Sequence, residues 1–242
     1  MKSYTLIELQ EISTRVEEGK SCVCSNQKTY KSLDLTSICP KLLAGDPCKY
    51  CYVQTSREEG FNAKIVYGRI TYNGEISRMN QATITKLNEC GGLRVFSFAD
   101  YYSWMDDDLE KIVADAKKRG LKLKAITKQA QFVHKFWKDF DVIHVSVDNI
   151  GDGMAWETAK NLREMYPTVL VRSVITKDED IQALAWTDIL TLNHGNNGFK
   201  NYSKKNNDQL SQVFPGKVCC STGKCQTCKV KCGLTNVGDK NI

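Results

Sequence analysis

Cysteine is the residue type in this chain that could do the most chemistry, with 11 in 242 residues. In a reducing compartment thiols stay free, so clustered cysteines raise a metal question rather than a disulfide one, and an odd count also argues against a closed disulfide framework. The first cluster is Cys39, Cys48 and Cys51, spaced Cys-x8-Cys-x2-Cys and followed by Tyr52. Three thiolates leave one metal position open, as an iron–sulfur cube needs if one iron is to bind something else. The alternative is half of a zinc site whose fourth ligand lies elsewhere. The second cluster is Cys219, Cys220, Cys225, Cys228 and Cys232. Any four of these five could close a zinc site or an iron–sulfur cluster, and the spacing leaves both open. Cys22, Cys24 and Cys90 read as small buried hydrophobes.

These clusters need elements to position them. Leu6, Leu9, Ile12 and Val16 recur at helical spacing. The stretch 32–38 alternates as a strand, 63–76 with Asn73-Gly74 reads as a hairpin, and 78–90 reads as a helix. From there short apolar strands at 93–99, 121–127, 142–147, 169–175 and 189–192 alternate with helical patterns at 107–119, 129–140, 154–166 and 179–186. Six strands, the first five each followed by a helix, are the signature of parallel β/α units. The expected fold is α/β: an open six-stranded parallel (β/α)6 partial TIM barrel with a cysteine-rich C-terminal extension. Its division is residues 1–31 as helix and lead-in, 32–195 as barrel core and 196–242 as basic linker and cysteine-rich tail. Ligands of such a fold sit at the carboxyl ends of the strands.

Composition narrows the classes. Hydrophobic residues make up 41%, charged residues 26% and prolines number four, which excludes a disordered or collagen-like chain. No apolar run approaches the length needed to span a bilayer, and residues 1–20 resemble neither a signal nor a transit peptide, so a cytoplasmic location without membrane contact is expected. The net charge of +6 belongs to the tail, where residues 200–242 hold eight Lys against two Asp. Such a tail suits a nucleic acid or another anion, or simply a solvated surface. No Walker loop, Gly-x-Gly-x-x-Gly or Gly-x-Ser-x-Gly motif occurs.

The loop from Cys39 to Tyr52, directly after the first strand of a six-fold β/α series, resembles the cluster loop of the radical S-adenosylmethionine superfamily. It departs from the usual Cys-x3-Cys-x2-Cys in its longer first spacing. With Arg94-Val-Phe-Ser-Phe-Ala-Asp100 and Ala125-Ile-Thr-Lys128 it is similar to small phage-associated members whose substrates are unknown. The resemblance implies a [4Fe–4S] cluster on Cys39, Cys48 and Cys51, with Tyr50 beside the adenine of S-adenosylmethionine. It implies cofactor contacts at strand ends. Ser97 and Asp100 close the second strand, where a carboxylate meets the methionyl amine, and Lys128 with Thr127 closes the third. Ser146 and Asp148, at the fourth, face the ribose; Arg172, in the fifth, has the two-pronged geometry for a carboxylate; Asn193 and His194 end the sixth. Each also has the plainer reading of a polar group satisfying loop backbone. The tail would carry an auxiliary [4Fe–4S] cluster, with zinc the alternative.

The activity so implied is reductive cleavage of S-adenosylmethionine to a 5′-deoxyadenosyl radical that abstracts hydrogen from an unidentified substrate, a nucleic acid or nucleotide among the candidates, with flavodoxin or ferredoxin as electron donor. The alternative is a zinc- or iron–sulfur-stabilised nucleic-acid-binding module. His144 reads as packed within a strand and His134 as exposed on a helix. Trp104, Trp137, Trp156 and Trp186 read as packing residues.

Overall fold

Apolar residues stand at every second position in Leu93–Val95, Leu123–Ala125, Ile143–Val147 and Val169–Val171, and each of these runs lies in a strand. The computed structural model describes residues 23–26, 30–35, 71–96, 100–147, 153–175, 186–192 and 212. Its strands are β1 (Val23–Asn26), β2 (Tyr30–Leu33), β3 (Leu93–Val95), β4 (Leu123–Thr127), β5 (Val142–Val147), β6 (Val169–Ile175) and β7 (Ile189–Leu192). They form one seven-stranded sheet in which spatial order equals chain order. β1 pairs antiparallel with β2, and β2 to β7 run parallel. Among the described residues four α-helices lie between them: α1 (Gln81–Glu89), α2 (Asp106–Arg119), α3 (Ala130–Phe136) and α4 (Trp156–Met165). The six-stranded parallel α/β sheet expected from the sequence is therefore present. Among the described residues β7 pairs with β6 alone, so no closed barrel is formed there.

Helix boundaries follow from local chemistry. Asn80 caps α1, its side-chain oxygen accepting from Thr83 N at 2.8 Å, which satisfies one of the amides a helix start leaves open. α2 opens on Asp106, Asp107 and Asp108 and closes on Lys117, Lys118 and Arg119, charges that complement its dipole at both ends. It stops at Gly120, whose left-handed φ of 61° ends the helix at little steric cost.

One face of the sheet carries Leu33, Leu93, Val95, Leu123, Ala125, Ile143, Val145, Val147, Val169 and Val171, all in the core with buried residues of the four helices. Phe132 of α3 anchors it, touching Phe96 and Phe140 edge-on with centroids 5.1 Å away.

Several expected elements differ. The Asn73-Gly74 hairpin is not formed: residues 71–76 hold no strand, Gly74 adopts φ +86°, and its carbonyl accepts from Arg78 N at 3.3 Å in a helix-like turn. That turn docks on α2 instead, where Tyr72 donates to Asp115 at 2.6 Å and Arg119 reaches the carbonyls of Ser77 and Met79. The strand expected over 93–99 ends at Val95, because Phe96 takes a φ of +64°. β1 is a strand that the sequence did not suggest. The N-terminal helix, the 179–186 pattern up to residue 185 and the cysteine-rich tail lie outside the described residues.

Candidate functional site

The registers define a second face. Ser32 pairs with Arg94, and Arg94 with Lys124; Ile126 pairs with His144; Ser146 pairs with Arg172, and Arg172 with Ile189. Paired residues on neighbouring strands point the same way and alternate with those of the core. The face opposite the helices therefore carries Ser32, Arg94, Lys124, His144, Ser146 and Arg172. Ser32, Lys124, His144 and Ser146 are buried. Asp34, also buried, follows Ser32, whose hydroxyl donates to it at 3.5 Å.

Three cations on one sheet face are costly unless each finds partners. Lys124 donates from Nζ to the carbonyl of Cys90 at the end of α1. Arg172 lies in β6, two strands on, and its buried Nε has no hydrogen-bond partner among the described residues. Ser146, beside it on β5, also anchors the following loop, its carbonyl accepting from Met154 N at 2.7 Å.

The rim at β3 and β4 is organised by Asp100. Its Oδ1 accepts from Tyr101 N at 2.8 Å and from Thr127 Oγ1 at 2.5 Å, and its Oδ2 accepts from Lys128 N at 2.7 Å. Thr127 Oγ1 in turn accepts from Gln129 N at 2.9 Å, just before α3. Burial pushes the Asp100 carboxyl above its ordinary range, against the pull of these donors. Thr127 pairs with Val145 and shares its face of β4 with Leu123 and Ala125, so this brace stands on the helix side of the sheet. Next to it Tyr101 donates to Asp106 at 2.7 Å, and burial with that carboxylate pushes the phenol up to about 12.

Of the residues singled out in the sequence, the structure thus brings Ser146 and Arg172 together on the polar face. It places Asp100 and Lys128 in a loop brace on the other side. Tyr50, Ser97, Asp148, Asn193 and His194 lie outside the described residues, as do Cys39, Cys48, Cys51, Cys219, Cys220, Cys225, Cys228 and Cys232. His144 is fully buried and His134 exposed, its Nδ1 2.7 Å from the Tyr166 hydroxyl. The tryptophans pack: Trp104 on Tyr102, Trp137 on Tyr166, Trp156 against Trp186. Cys90 is a buried free thiol.

Ser32, Arg94 and Lys124 were missed as members of a site. Their signal was present: a charged or hydroxyl residue between two apolar ones, as in Leu93-Arg94-Val95 and Leu123-Lys124-Ala125. A parallel strand covered by helices on both faces reads as a continuous apolar run, and these strands do not.

No family model matches the chain, and no curated protein matches it. Among the described residues no group of three or more His, Cys, Asp or Glu is placed to hold a metal ion. The expectation of a radical S-adenosylmethionine enzyme is corrected accordingly, and with it the cleavage of S-adenosylmethionine, the [4Fe–4S] clusters, the zinc alternative, the metal-stabilised nucleic-acid module and the phage-associated likeness. A bound cluster or ion needs several ligands converging on one point, and in the described sheet the acidic, His and Cys side chains are spread among core, brace and surface. No helix among the described residues is long and apolar enough to cross a membrane.

Proposed function

We propose that this chain is a ligand-binding α/β protein whose sheet curls into an open six-stranded partial barrel and takes a small polar molecule on its inner face, near the carboxyl ends of β5 and β6. Strictly sequential strand order supports the curl, because right-handed crossovers wound in one direction put every helix on the same side. The single observation that carries the binding role is the division of the sheet: an apolar face filled by helices, and an opposite face bearing Ser32, Arg94, Lys124, His144, Ser146 and Arg172. Burying such groups costs free energy that a scaffold alone does not need to spend. Parallel α/β folds place ligands outside the carboxyl ends of their strands. Ser146 and Arg172 serve as binding residues in this reading, while Asp100 and Lys128 hold the neighbouring loops in place.

The test is a panel of nucleotides, nucleosides, sugars and small carboxylates, read by amide chemical shifts of the full chain. At least one class should perturb amides at 144–147 and 170–173 while leaving α2 and the helix-facing core unchanged. A bound compound held at about 100 times its Kd should raise stability by about 2.7 kcal/mol. Perturbations confined to the helix side, or no binding by any class, would reject the proposal.

A further inference from the structure

Arg172 narrows the ligand class. A guanidinium stays charged at any physiological pH and offers five N–H donors in a planar fork. In β6 its Nε is buried, and no acceptor among the described residues meets it. Its register partner on β5 is Ser146, a buried hydroxyl, and its partner on β7 is Ile189, which offers no polar side chain. Neighbouring strands lie about 4.8 Å apart, so one small group can meet the guanidinium and the hydroxyl together. Arg94 and Lys124 stand on the same face, and their charge favours an anion over a neutral or cationic guest.

We infer that Arg172 and Ser146 form an oxyanion anchor, the fork of Arg172 holding a carboxylate or phosphate group and the Ser146 hydroxyl donating to the same group. The inference rests on the reading of the polar face as a ligand site and deepens it. An arginine kept for a ligand is unsatisfied in the empty protein, so removing it should not cost stability.

Binding of inorganic pyrophosphate, malonate and adenosine to the full chain by titration calorimetry separates the possibilities, with pyrophosphate and malonate distinguishing the two sources of oxyanion. The expected result is saturable binding of one oxyanion that weakens about tenfold or more in Arg172→Met, the loss of a charge-assisted hydrogen bond, and recovers in part in Arg172→Lys. Ser146→Ala should weaken the same probe several-fold, and unliganded Arg172→Met should melt no lower than the parent. If Arg172→Met instead melts more than about 4 °C lower, the guanidinium is a structural group and the inference fails. Adenosine binding without oxyanion binding, or equal oxyanion affinity in parent and Arg172→Met, also overturns it while leaving the polar-face site intact. Failure of all three probes together with the whole panel overturns both.

Discussion

Asp100 is a buried acid at the rim of the sheet, between β3 and α2. Read as a strand-end acid it offers a carboxylate to a ligand; in the fold its oxygens receive Tyr101 N, Thr127 Oγ1 and Lys128 N. Its titration should show this. Burial outweighs the donors and raises its pKa, so the folded chain keeps a proton that the unfolded chain releases near pH 3.9, the ordinary value for Asp being about that. From that pH up to the raised folded value, the contribution of Asp100 to stability falls as pH rises, and above both values it stays constant. Denaturant melts across that range should show the parent losing stability relative to Asp100→Asn as pH increases. A parent that instead gains stability relative to the variant as pH rises would mean that the three donors outweigh burial. Side chains of this kind were only half legible, because a polar residue after an apolar strand looks the same whether it serves a ligand or a loop. Ser146 was nameable from its place near the end of β5, whereas Arg172 is central in β6 and was singled out only by the resemblance; Arg94 and Lys124 lie within β3 and β4, where attention to strand ends passes over them.

Elements were legible where the pattern was long. β5 and β6 have the boundaries that the alternation of 142–147 and 169–175 suggested, and α2 begins within one residue of its expected start. Short elements were the least legible: β1 was not suggested and β2 begins at Tyr30, two residues before its expected start, each having four residues, too few for a period, and Asn73-Gly74 is turn chemistry that a helix-like turn uses as readily as a hairpin. β3 stops early for a backbone reason. The φ of +64° at Phe96 breaks alternation and sends its ring to Phe132 on the helix side, a conformation that costs a non-glycine residue roughly 1–3 kcal/mol. The junction before β3 makes a sharper prediction. Gly92 has φ +104°, and a Cβ there would lie 2.5 Å from the carbonyl oxygen of Lys122, whereas Gly120 has open space around it. Gly92→Ala should therefore cost at least about 2 kcal/mol, from strain and steric overlap together, and Gly120→Ala about 1 kcal/mol, from its positive φ alone. Urea midpoints of the two variants compare them directly, and equal losses would contradict the close approach of the Lys122 backbone.

For the molecule as a whole, the two faces of the sheet should divide stability from binding. Ile143 and Ser146 belong to the same strand and opposite faces. Ile143→Ala should cost about 2–5 kcal/mol by leaving a cavity among the helices, and Ser146→Ala about 1 kcal/mol or less. Comparable losses at both positions would show that the polar face is packed as a second core. The identity of strand order and chain order has a consequence for how the protein is made. Each strand from β2 onward docks beside the one synthesised just before it, so no strand must wait for a later one or be threaded between two already paired. From β3 onward partners lie 17 to 30 residues apart in sequence, which keeps loop-closure entropy low for those steps, while the 62 residues between the partners of β2 and β3 make that pairing the costliest. As the chain leaves the ribosome, the sheet can grow from a single advancing edge, and at that edge pairing groups are newly exposed to a wrong partner at each step of synthesis.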